Sequence, residues 1–165
     1  MVDLELTGSH LQTLDDRLRL AVPAKMVPVL RELAGTQGED PVEVVITITV
    51  DERLGVFPKK YFTEHLAMLK KAAEFDRSAA LIRRKYLNQM DEQSLDKQNR
   101  FRIPQMLAEY FGLNGEVVVV GSGEYLEVMS RERWKKQMDE DVPKLKEFDE
   151  RVYEFRRNFN GSNGK

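Results

Sequence analysis

The chain has 165 residues, enough for one compact domain or two small ones sharing a core, with 41% hydrophobic and 33% charged residues of mixed sign. That balance excludes a disordered chain, the lack of cysteine excludes disulfide frameworks and cysteine zinc sites, and no apolar run nears the roughly 20 residues that span a bilayer. A net charge of −2 excludes a surface coated in positive charge but not a local basic face.

The N-terminal residues have neither the basic start nor the apolar core of a signal peptide, so a cytoplasmic setting is expected. The first landmark is "TLDDRLRLAVP", Thr13 to Pro23, which returns 81 residues later as "SLDKQNRFRIP", Ser94 to Pro104. The two copies align without a gap from Thr13/Ser94 to Leu30/Phe111, matching Leu14 with Leu95, Asp15 with Asp96, Arg19 with Arg100 and Pro23 with Pro104. Such a repeat sets the architecture before any element is assigned.

After the first copy, a short helix is predicted from about Lys25 to Leu33, closed by Gly35, with Pro28 tolerated in its first turn. The extra loop "GTQGEDP" follows, then strands at Val42–Val50 and Leu54–Phe57, rich in β-branched residues. Phe75 to about Met90 carries Ala79, Ile82 and Tyr86 at helical spacing and links the halves. Lys59 to Met90 is also biased, with eight basic and three acidic residues. After the second copy, Pro104 opens a helix at Gln105–Phe111 that Gly112 closes. Strands at Glu116–Val120 and Tyr125–Val128 flank a "GSG" hairpin turn, and Trp134 in the following helix answers Phe62.

Beyond Pro143, Leu145, Phe148, Val152, Phe155 and Phe159 are spaced 3, 4, 3, 4, a narrow apolar seam. It reads first as a face covering the chain's own sheet, with a subunit contact as the alternative. Asn160 to Lys165 have nothing to bury and are expected to be disordered. The order of elements gives an α+β chain of two pseudo-equivalent repeats. The first is 1–70 and the second 93–141, with a connecting helix at 71–92 and a C-terminal helix and tail at 142–165.

Within each frame, Asp precedes Arg by four residues, which on a helix would make an ion pair. The alternation in "RLRLAV" and "RFRI" instead reads as strand, so the Asp is placed at the start of a tight turn. There it can accept N–H bonds from two residues on. Asn99 suits a left-handed backbone; Leu18 suits it poorly. Alternation puts Arg100 and Arg102 on the side opposite Phe101 and Ile103, and Arg19 opposite Leu18 and Leu20. Together with Arg17, Lys25, Arg31 and Lys97, these residues could hold phosphates and reach base edges. The alternative is that each Asp and Arg only stabilises its own turn.

Catalytic readings fail on the residues. His10 and His65 have no metal-spaced partner, and no nucleophile motif or phosphate loop is present. An enzyme is not expected, nor a cofactor or a small-molecule substrate.

The duplicated Leu-Asp-x-x-x-Arg-x-x-x-Pro frame, each copy followed by a short helix and a hairpin, resembles the MraZ family over about residues 6 to 141. Gly8 ahead of Leu14-Asp15 and the helix "RERWKKQMDED" add to the likeness. The resemblance implies an AbrB-like swapped-hairpin β-barrel and a transcription regulator without cofactors, cytoplasmic and nucleoid-associated. It implies ring-shaped homo-oligomers on double-stranded DNA, at short direct repeats upstream of the division and cell wall gene cluster. It assigns the DNA-binding face to Asp15, Arg19, Asp96 and Arg100, to which Arg17, Lys97 and Arg102 are added here from their position. The family's loop reads Asp-x-Lys-Gly-Arg. This chain has Leu18 and Asn99 at the glycine positions, Arg17 and Gln98 at the lysine positions, and an extra acid, Asp16. Those departures leave a second reading, a ring-forming interaction protein that has lost DNA binding.

Overall fold

The computed structural model describes the backbone of residues 4–162 and the side chains up to Phe159. Residues 4–130 form one unit and 131–162 a second, and each is described by itself.

In the first unit the chain runs β1 (Ser9–Thr13), β2 (Arg19–Ala21), α1 (Val27–Leu33), β3 (Glu43–Ile48), β4 (Leu54–Pro58), α2 (Lys59–Ala72) and α3 (Arg77–Gln89). It continues through β5 (Asp91–Ser94), β6 (Arg100–Arg102), α4 (Gln105–Tyr110), β7 (Glu116–Gly121) and β8 (Leu126–Ser130). Six strands make an antiparallel sheet in the order β1-β7-β8-β4-β3-β5, and β2 pairs with β6 in a separate two-stranded ribbon.

That order reads the same from both ends once the repeat is applied. Each half lends its first strand to the other half's hairpin. Thr13 pairs with Glu116 as Ser94 pairs with Glu43, and Leu14 N–H reaches Gly115 O as Leu95 N–H reaches Val42 O, both at 2.8 Å. The halves meet at Gly55 opposite Glu127 in the sheet and at Leu20 opposite Phe101 in the ribbon. The halves are thus interlocked rather than side by side. The sheet is open, with β1 and β5 at its edges. Among the described residues, hydrogen bonding does not close it into the barrel expected from the resemblance.

The alternation of β3 explains its burial on both faces. Val44 and Ile46 enter the main core with Leu20, Leu30, Phe101 and Ile103, where both ribbon strands and both short helices also bury their apolar residues. Val45 faces a second cluster with Phe57, Phe62, Leu69 and Tyr86, supplied by β4, α2 and α3. Gly121 is dictated by a close approach, because a Cβ there would lie 2.4 Å from the Leu6 backbone, which bridges across to Gly123.

One expectation needs correction. Asp91 and Glu92, placed within the connecting helix at 71–92, open strand β5 instead. Its polar sequence hid it, but an edge strand needs only backbone partners, and charged side chains there discourage further pairing. Lys59 stands 3.4 Å from Glu43 and 3.5 Å from Glu92, tying the strand's charge to α2. The linking helix expected from Phe75 to about Met90 is α3, capped by Asp76, which accepts from Ser78 N–H at 2.7 Å; α2 ends before it at Ala72.

The second unit contains α5 (Arg131–Asp141), a 3-10 turn at Val142–Lys144 around Pro143, and α6 (Leu145–Ser162). Within this unit the seam residues Leu145, Phe148, Val152, Phe155 and Phe159 stand exposed, at 43–67%. The helix also includes Asn160–Ser162, expected to be disordered; the remaining residues of that tail, 163–165, lie outside the described residues. No described helix is long and apolar enough to cross a membrane.

Candidate nucleic-acid interface

Both frames fold into one loop geometry. Asp15 Oδ1 accepts the backbone N–H of Arg17 at 2.9 Å and of Arg19 at 2.8 Å, while Oδ2 accepts Arg19 Nε at 2.7 Å. Asp96 repeats this with the N–H of Gln98 and of Arg100, both at 2.9 Å, and with Arg100 Nε at 2.8 Å. The main chain closes each loop as well. Leu18 N–H donates to Asp15 O at 3.0 Å and Asn99 N–H to Asp96 O at 2.9 Å.

The reversal requires one residue in the left-handed region, filled by Leu18 at φ 60° and Asn99 at φ 56°. Asn adopts it at modest cost; Leu stores about 1–2 kcal/mol of strain there. Packing holds Leu18 in place, since its half-buried side chain lies against the main core. The two strained residues also brace each other's strand: Val22 N–H reaches Asn99 O at 2.9 Å and Ile103 N–H reaches Leu18 O at 2.8 Å.

The ion pair set aside with the helical reading therefore forms without a helix, because the carboxylate spans the turn. Its bonds to each arginine run through Nε, leaving the Nη groups for another acceptor. The pairs are half-exposed, so they fix direction more than they stabilise. The Asp15 carboxyl lies below its ordinary value, first because the Arg19 backbone N–H bonds to it, then through the Arg19 side chain and the Arg17 N–H. For Asp96 the largest influence is partial desolvation, which raises it. The hydrogen bonds from Arg100 and Gln98 together outweigh that and leave it lowered.

The loops feed the two-stranded ribbon. Leu20 and Phe101 point inward and are fully buried, so Arg19, Ala21, Arg100 and Arg102 share the outer face. Arg19 lies opposite Arg102, and Arg100 opposite Ala21. Three arginines thus sit on one short ribbon, two of them each held by a carboxylate. Arg17 and Lys97 are exposed in the loops, beside the ribbon. Lys25 is exposed beyond the first frame, and Arg31 is engaged away from the ribbon by the Gly38 carbonyl.

Sequence reasoning missed Gln93. Its side-chain amide accepts from Arg102 N–H at 2.8 Å and donates to Arg102 O, bracketing the backbone of β6. A signal existed: the echo extends one residue upstream to Gln12 and Gln93. Among the described residues no group of three or more His, Asp or Glu is arranged to hold a metal ion.

Fold and site together define a class: α+β proteins of two interlocked repeats whose Asp-x-x-x-Arg loops present a shared arginine ribbon. The family model described as "MraZ protein, putative antitoxin-like" matches residues 87–155. The chain is 32% identical over 149 residues to the transcriptional regulator MraZ of Heliobacterium modesticaldum, covering 90% of this chain and 96% of that protein. It is 32% identical over 149 residues to the protein of the same name from Oenococcus oeni, covering 86% and 97%. It is 35% identical over 134 residues to that of Saccharopolyspora erythraea, covering 81% and 86%. The chain belongs to the MraZ family.

Proposed function

We propose that this protein is a sequence-specific DNA-binding transcription regulator that grips double-stranded DNA with the β2–β6 ribbon. The observation that carries this is the placement of Arg19, Arg100 and Arg102 on one outward face, with Arg19 and Arg100 clamped by Asp15 and Asp96. A two-stranded ribbon fits a major groove about 12 Å wide, and a pre-oriented guanidinium can bond the O6/N7 edge of guanine in a bidentate manner. Arg17 and Lys97 flank the ribbon where phosphates would pass. The names of the relatives support regulation of transcription.

The targets in this reading are short direct repeats upstream of the division and cell wall gene cluster, bound by a homo-oligomeric ring. Repeated subunits on repeated boxes gain avidity without strong single contacts. In this reading the two repeats are 1–70 and 93–141, and their reciprocal strand exchange supports a swapped-hairpin arrangement like that of AbrB-like regulators. The protein works in the cytoplasm at the nucleoid, without a cofactor.

The test is a gel shift with DNA from upstream of its own gene against a shuffled sequence of equal composition. Preferential binding to the upstream DNA is expected. Equal or absent binding sinks the regulator reading and leaves the interaction ring.

A further inference from the structure

The exposed stripe of α6 is an apolar feature outside the proposed DNA-binding ribbon. Its spacing of 3, 4, 3, 4 from Leu145 to Phe159 averages 3.5 residues, the period of a coiled-coil seam rather than of a helix lying on a sheet. We propose that α6 pairs antiparallel with α6 of a second copy of this chain. This deepens the self-assembly part of the reading above and uses none of the ribbon residues, so it can fail while DNA binding stands.

Charge selects the orientation and the register. In an antiparallel pair with Val152 facing the partner's Phe155, Phe148 meets the partner's Phe159. The symmetry repeats both contacts, giving four apolar layers. One flank then sets Asp149 beside the partner's Arg156, twice. The other sets Arg151 beside the partner's Asn158, with no like charges together. Sliding by one heptad, so that Val152 faces the partner's Phe148, brings Asp149 against Asp149 and Arg151 against Arg151. A parallel pair sets Arg151 against the partner's Arg156 on both sides. Only the first arrangement pairs opposite charges without opposing like ones.

The side chains already suit such a seam. Phe155 and Phe159 stack with ring centroids 6.0 Å apart, and Arg151 is drawn along the flank by its ion pair with Glu147. An 18-residue helix is short for a coiled coil, so this contact is modest.

The test is sedimentation of the full chain across micromolar concentrations, with circular dichroism confirming that helix content is kept. Phe155→Glu is expected to weaken association at least tenfold. Arg156→Asp places Asp against Asp149 twice and weakens association severalfold; Asp149→Arg combined with Arg156→Asp swaps the pair and restores it. A parallel coil gives the opposite result, since Arg156→Asp would then face Arg151 and tighten association. That tightening, no effect of Phe155→Glu, or failure of the double swap to restore association would each overturn the proposal.

Discussion

The two frames have one backbone and different charges. From Thr13 to Pro23, Asp15 and Asp16 cancel Arg17 and Arg19, a net of zero; from Ser94 to Pro104, Lys97, Arg100 and Arg102 outweigh Asp96, a net of +2. Yet corresponding hydrogen bonds in the two loops agree within about 0.1 Å. Loop geometry therefore depends on very few positions: a carboxylate, an arginine four residues on, and a left-handed residue between them. The rest of the frame is free to set the charge of each half. On the proposed DNA-binding reading, the second half is the stronger grip and the first the weaker.

The largest effects should come from the arginines. Arg100→Ala should cost about 10–100-fold in affinity for the upstream DNA, in line with loss of a bidentate contact. Arg19→Ala should cost less, because its frame has less supporting positive charge. Equal losses, read by fluorescence anisotropy, would erase the distinction between the frames. Lys at either position keeps the charge but not the planar fork, so nonspecific binding should recover further than sequence preference.

Next come the clamps. Asp15→Ala and Asp96→Ala each remove the acceptor of two backbone N–H bonds and one guanidinium bond. The melting temperature should fall by about 2–6 °C, as for a lost cap, with a severalfold loss of affinity. Acid should mimic both changes. The two carboxyls have folded values below their ordinary 3.8, so their contribution is complete above that value and is lost as pH falls through the lower folded values. A melting temperature that stays flat from pH 5 to pH 3 in wild type, relative to the double Asp→Ala variant, would contradict this.

A smaller contrast lies in the left-handed residues. Leu18→Gly relieves strain but removes a side chain from the core, so the melting temperature should shift by no more than a few degrees. Asn99→Gly should be nearly silent. The smallest expected effect is Asp16→Lys, which copies Lys97 into the first frame. It should strengthen DNA binding a few-fold and steepen its salt dependence without altering the melting curve. A weakened complex would show that Asp16 contributes to recognition rather than merely reducing the charge.

What the sequence made legible is what local pattern encodes. The repeat, the two β-branched hairpins and the inward turn of Leu20 and Phe101 follow from spacing and alternation. So does the start of each loop at Asp15 and Asp96. The interlocking of the halves was not legible from pattern, because the exchanged strands pair with partners about 50 residues away for β5 and just over 100 for β1, and polar Asp91–Ser94 carries no hydrophobic alternation. The Asp–Arg pair was obscured because four-residue spacing is associated with helices, whereas here a tight turn closes the same distance. Leu18 shows core packing overriding a backbone preference that the residue alone would refuse.

Whether the two frames present arginine to DNA is tested most directly by the salt dependence of binding to the upstream DNA. Wild type, Arg19→Ala and Arg100→Ala, each shown folded by circular dichroism, are titrated at several salt concentrations on that DNA and on its shuffled counterpart. Both substitutions should reduce the preference for the upstream DNA, Arg100→Ala the more. A phosphate-only role would instead weaken both DNAs equally and lower the salt slope by about one per lost contact. Unchanged affinity and preference in both variants would contradict the account and reduce the frames to devices that stabilise their own turns.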